Sequence, residues 1–139
     1  MASLGNHIRQ WKHNRTFLTM IPLDYRDWII TIAFYSALHA IDALLAFDKV
    51  RGITSHQARN DVLMRTNRYQ RIYKAYHPLY SLSRTIRYLA DPQAWISAED
   101  TQPRVIDAYL VPIEQSVERL IGQDLQLGKL RITAASPKC

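Results

Sequence analysis

Apolar residues recur along this chain at helical spacing, three and four apart, and not in alternation. Leu4, Ile8, Trp11, Arg15 and Leu18 fall near one face of a helix predicted from Ser3 to Met20. Pro22 sits where a first-turn proline is tolerated, and a long second helix is predicted from there to about Lys49. Arg51-Gly52-Ile53-Thr54 reads as a turn, and Ser55 as the N-cap of a short third helix ending near Thr66. A fourth helix is predicted over about Tyr69 to Leu89, kinked or split at Pro78, because proline removes a backbone donor. Ala90-Asp91-Pro92 closes it. Thr101 or Asp100 then caps a fifth helix, with Pro103 in its first turn, a second kink at Pro112 and Gly122 as its C-cap glycine. No run alternates with period two, and no Asn-Gly or Asp-Gly turn is present. The expectation is all-α: an up-and-down bundle of four to five helices, kinked at Pro78 and Pro112. One domain covers 1–122, followed by a weakly ordered or partner-dependent tail over 123–139.

The second helix sharpens this picture. Trp28 to Phe47 holds twenty residues with no Lys or Arg, enough to cross a bilayer by length. Thr31, Ser36, His39 and Asp42 lie inside it, and an Asp near a membrane centre costs about 2.5–3.5 kcal/mol. A helix buried on nearly all sides within a bundle is the expected arrangement, with no membrane contact. On a helical wheel, Thr31, Tyr35, His39 and Asp42 share one sector. An unpaired buried carboxylate is costly, so this polar cluster of Tyr35, His39 and Asp42 must find partners. Either His39 and Asp42 pair with each other or with an Arg from another helix, or the cluster lines an internal cleft.

Composition adds limits. The chain has 139 residues, 47% hydrophobic and 22% charged, which suits one globular domain and excludes wholesale disorder. Its one cysteine, Cys139, allows no internal disulfide and no thiolate metal cluster. The N-terminal residues MASLGNHIRQWKHNR lack the apolar stretch of a signal peptide, so a cytoplasmic setting is expected. There is no Gly-rich phosphate loop, no G-x-S-x-G elbow and no H-E-x-x-H. The five histidines, His7, His13, His39, His56 and His77, are scattered, and neither a metal nor a cofactor is expected.

Charge changes the functional picture. The net charge is +6, concentrated between residues 51 and 90. There Arg51, Arg59, Arg65, Arg68, Arg71, Lys74, Arg84 and Arg87 face the single acid Asp61, with Tyr69, Tyr73, Tyr76 and Tyr80 interleaved. The flat guanidinium fork suits phosphate oxygens and stacks on bases, so Arg with Tyr is a composition for RNA or a nucleotide. The same residues also suit a solvated helix face that meets the acidic stretch 91–121, in this chain or a neighbour.

The strings FYSALHAIDALLA, SHQARNDVL and IYKAYHPLYSLSRTIRY resemble the HEPN superfamily of small bacterial helical-bundle proteins. AYLVPIEQSVERLI is similar to a HEPN-like subgroup without a settled activity, and the likeness covers about residues 20–121. The resemblance implies dimers. It also implies either a metal-independent endoribonuclease of toxin–antitoxin or antiviral defence systems, or an inactive relative that binds nucleotides or partner proteins. Active members carry an Arg, four to six residues and a His: the Arg holds the scissile phosphate and the His does acid–base work. Arg51 to His56 and Arg71 to His77 satisfy that spacing, although neither begins with the family's Arg-Asn. His77 precedes Pro78, a poor place for a helix-borne group. His56 follows an N-cap, where a helix can hold an anion.

The expected function is therefore RNA handling in a bacterial defence or toxin–antitoxin system. Arg51 and His56 are the catalytic candidates, and His56, Arg59, Tyr80, Arg84 and Arg87 the nucleic-acid contacts. The alternative is a non-enzymatic accessory subunit whose Arg/Tyr-rich surface docks a partner, such as a nucleotidyltransferase or a defence-complex subunit. A homodimer or larger assembly is expected in either case, because the chain's Tyr and Trp are types enriched in interfaces.

Overall fold

The computed structural model describes residues 2–132. Every regular element among them is helical, and no strand occurs. α1 spans Leu4–Leu18, capped by Ser3, whose hydroxyl accepts from the Asn6 N–H at 3.1 Å. A 3₁₀ turn, Leu23–Tyr25, leads into α2, Arg26–Phe47. α3 covers His56–Arg65 and is capped as expected by Ser55, which accepts from the Ala58 N–H at 3.1 Å. A 3₁₀ turn, Asn67–Tyr69, joins it to α4, Gln70–Ile86, which is one unbroken helix through Pro78.

The last rod departs from the expected caps. It starts earlier, with α5, Ala98–Thr101, capped by Ser97, whose hydroxyl accepts from the Asp100 N–H. Thr101 is inside the helix and donates its hydroxyl back to the Ser97 carbonyl, so neither Thr101 nor Asp100 is the cap. Next comes a π-helical stretch, Gln102–Leu110, and then α6, Val111–Ile121. The Val111 N–H reaches back five residues to the Ile106 carbonyl. Pro103 lies at the start of the wider register and Pro112 just past its end, and a ring that cannot donate and crowds the preceding turn is a recognised cause of such local rewinding. Gly122 ends α6 at φ 75°, the left-handed conformation that glycine adopts without strain.

α2 is the centre of the bundle. α1 packs along it most extensively, and α4, α6 and the π stretch cover the remaining sides. Ile29, Ile30, Phe34, Ile41 and Leu44 are all closed off from solvent. Burial of each such side chain contributes roughly 1.5–3 kcal/mol before entropy is counted. The run Leu23–Phe47 is apolar and long enough to cross a membrane by composition, yet most of it is buried against the other helices. At its C-terminal end Asp48 accepts from Arg68 Nε at 2.9 Å and from the Tyr69 hydroxyl, which fastens the turn before α4 to the end of α2.

A second charged anchor joins α1 to α6. Glu114 of α6 is almost fully buried and accepts from Trp11 Nε1 at 2.8 Å and Arg15 Nε at 2.9 Å. Burial raises the Glu114 carboxyl above its ordinary range, while Arg15 and Trp11 pull it the other way. Arg15 spends its other two nitrogens on the carbonyls of Leu127 and Gly128. These bonds hold part of the segment after Gly122 against the bundle, although 123–132 form no regular element. Leu125 and Leu130 are buried, and Gln102 bonds to both the Leu130 carbonyl and the Ile132 N–H. The rest of the predicted tail, 133–139 with Cys139, lies outside the described residues.

Arg15→Ala should therefore lower unfolding stability by about 3–5 kcal/mol, because it strands a buried carboxylate. It should also release residues 123–132. Urea unfolding measures the first effect, and faster limited proteolysis near Gly128 measures the second.

Candidate functional site

α2, α3 and α4 meet around one ion pair. Asp42, in the last third of α2, receives Arg59 Nε on one oxygen at 2.8 Å and Nη2 on the other at 3.0 Å. Both side chains are largely buried. Bidentate geometry of this kind holds a carboxylate in a fixed plane. Asp42 thus takes its Arg from α3, and not from Arg84 or Arg87 of α4, the other cations available to it. The free Arg59 Nη1 lies 3.3 Å from His56 Nδ1. A guanidinium can only donate, so His56 Nδ1 accepts and the ring proton sits on Nε2. His56 is thereby the neutral tautomer with its N–H pointed away from Arg59.

The surroundings keep it neutral. Partial desolvation holds His56 below its ordinary value, and the positive charges of Arg59, Arg87 and Arg84 add to this against the opposing Asp42. His56 also packs against the rings of Phe34 and Tyr80, at 5.8 and 5.7 Å between centroids. The Arg84 guanidinium lies over Tyr80, 5.6 Å from its centroid, a cation–π arrangement. Arg87 donates its Nε to the Ser83 carbonyl, one turn back on α4. His56, Arg59, Tyr80, Arg84 and Arg87, predicted from two separate stretches of sequence, therefore share one place. Arg84 and Arg87 are solvent-exposed, whereas Arg59 is buried and its charge is met internally.

Arg51 stands apart: it is exposed on the loop before α3, and no hydrogen bond or ion pair joins it to His56. Between the two the chain turns at Gly52, φ 79°. The polar cluster on α2 is also divided. Thr31 donates back to the Asp27 carbonyl, and Tyr35 sits at the exposed edge with its ring against Phe34. His39 pairs with His7 of α1, Nδ1 to Nδ1 at 3.2 Å, and not with Asp42. A cavity of about 350 Å³ opens beside this pair, lined by His7, Asp42, Leu45, Val50 and Ile53. The His7 pairing was not legible in the sequence, where nothing sets the register of α1 against α2.

Three buried side-chain oxygens among the described residues have no hydrogen-bond partner: Asn60 Oδ1, Tyr76 Oη and Ser83 Oγ. All three lie on α3 or α4, the two helices that carry the cationic group. Burial raises the Tyr76 hydroxyl well above its ordinary value, with the nearby Arg59 acting against the rise. The described residues contain no group of three or more His, Cys, Asp and Glu able to enclose a metal ion. The arrangement can receive an anion: Arg84 and Arg87 supply charge, and His56 Nε2–H supplies an uncharged donor at the start of a ten-residue helix.

Two measurements probe this geometry. Arg59→Ala should cost about 3 kcal/mol in urea unfolding, since it leaves Asp42 buried and unpaired. His39 is held below the ordinary 6.5 by burial and by His7, with Asp42 opposing and Arg59 adding to the depression. The unfolded chain therefore binds the proton more readily, and stability must fall as pH drops below about 6.5. His39→Asn should lose less Tm than the native chain between about pH 7.5 and about pH 5.5.

Comparison with known proteins finds no family model, no curated protein and no solved structure that matches this chain.

Proposed function

We propose that this chain is a HEPN-like RNA-handling protein of a bacterial defence or toxin–antitoxin system, and that it grips RNA phosphate at His56, Arg84 and Arg87. The observation that carries this reading is the convergence of those three residues with Tyr80 on one surface, with no ion pair to Arg84 or Arg87 among the described residues. Arg59 supports the grip from behind, by fixing the His56 tautomer, and does not need to touch the ligand. The all-helical bundle agrees with the resemblance in fold class alone. No hydrogen bond or ion pair joins Arg51 to His56, which supports binding as the activity proposed here.

A second reading has its own support. Phe17, Met20, Tyr25 and Trp28 are exposed around a shallow apolar groove at the junction of α1 and α2, with Met20 66% and Trp28 57% accessible. Contiguous exposed apolar side chains of this size mark interaction surfaces. They suit the homodimer or the accessory subunit docking a partner protein that the sequence also suggests.

Arg84→Ala with Arg87→Ala tests the first reading without touching the core, since both side chains are exposed. Binding of a labelled oligouridylate, followed by fluorescence anisotropy, should weaken at least about tenfold. The slope of log affinity against log salt should shrink by about 1.4 for two lost phosphate contacts on a single strand. The helical circular dichroism spectrum should not change. Unaltered affinity and slope in the folded double variant would remove the phosphate grip.

A further inference from the structure

The cationic group does not end at Arg87. α4 carries Arg71, Lys74, Arg84 and no acid anywhere between Gln70 and Ile86. Its buried face is Ile72, Ala75, Tyr76, Leu79, Ser83 and Ile86. The opposite face, with Arg71, Lys74, His77, Arg84 and Thr85, is exposed along the whole helix. Between the two faces runs an edge of flat groups at spacings of three and four residues. Tyr73 and His77 are in ring contact at 5.3 Å, and Tyr80 follows, covered by the Arg84 guanidinium and touching His56. Tyr73 and Tyr80 are half-buried and His77 is exposed, so each ring is anchored on the helix yet reachable.

We propose that the ligand of this site is a single-stranded polynucleotide that continues along α4 from His56 and Arg87. Its bases lie against Tyr80, His77 and Tyr73, and its phosphates against Arg84 and Lys74. The inference rests on the phosphate-grip reading above and adds the path and the strandedness of the ligand. Charge alone would suit any polyanion, including an acidic protein segment. The edge of flat groups decides the matter, because rings and guanidinium planes serve bases whose faces are open, and a duplex hides those faces. From Tyr73 to Arg84 the helix rises about 16 Å. A stacked strand advancing about 3.4 Å per nucleotide covers that length in about five nucleotides.

The test uses the full chain with fluorescein-labelled di- and octauridylate, octadeoxythymidylate and a short RNA duplex, and polyglutamate as competitor. The native protein should bind octauridylate at least about tenfold more tightly than diuridylate or the duplex, as expected where stacking adds along the strand. Lys74→Ala, at an exposed position, should reduce the gain with length and cut the salt slope for the octamer by about 0.7. His77→Ala should weaken octamer binding at unchanged slope, which a purely electrostatic surface would not show. Whether octadeoxythymidylate matches octauridylate or falls behind tells which sugar the track accepts, and both results support it. Diuridylate binding that depends on Arg84 and Arg87, with no gain for the octamer, would overturn the track alone. Equal binding of the duplex, or equal competition by polyglutamate, would also overturn it. Failure of both lengths to bind would overturn the phosphate grip as well.

Discussion

Asp42 is a carboxylate about three-quarters of the way along a mostly apolar helix whose greater part is buried. Removing that charge from water is tolerable only with a partner that satisfies both oxygens, and Arg59 does so. The consequence is geometric. The pair ties α3, which packs along α4, to α2 as well, and sets the first turn of α3 beside Phe34 and Tyr80. His56, one turn before Arg59, is carried to the same place and receives the remaining guanidinium nitrogen. The electrostatics of the candidate site follow from this constraint: a buried cation already balanced by Asp42, a neutral imidazole beside it, and two unbalanced arginines arriving from α4.

The same logic recurs between α1 and α6. Glu114 is buried on α6, so Arg15 must come to it, and the three nitrogens of that guanidinium then tie three segments together. The two ion pairs act as registers between helices whose apolar surfaces alone could slide. Hydrophobic burial supplies most of the stabilisation but is non-directional; the charge pairs choose among the ways of achieving it.

The contrast between Arg59 and Arg84 shows why residue type does not decide role. Both stand in the basic stretch and both lie one turn from a second site residue. Arg59 points inward and is spent on structure, while Arg84 points outward over a tyrosine ring and keeps its charge available.

Much of this protein is determined by its sequence alone, because helical periodicity and capping are local physics. The spacing of apolar residues places α1 to α4 within a few residues of their observed ends, and Ser3, Ser55 and Gly122 mark boundaries through bonds to their own neighbours. The buried nature of α2 follows from its composition, and the need for Asp42 to be paired follows from the cost of an isolated charge. What only the tertiary structure decided is every relation between helices. A helical wheel gives the phase of each residue on its own helix but not the rotation or height of one helix against another. Thus sequence could group His56 with Arg59, and Arg84 with Arg87, each pair one turn apart, but could not bring the two pairs together. Nor could it choose Arg59 over the other basic residues for Asp42, His7 for His39, or Arg15 as the clasp of residues 123–132, because those choices arise from packing over long sequence separation.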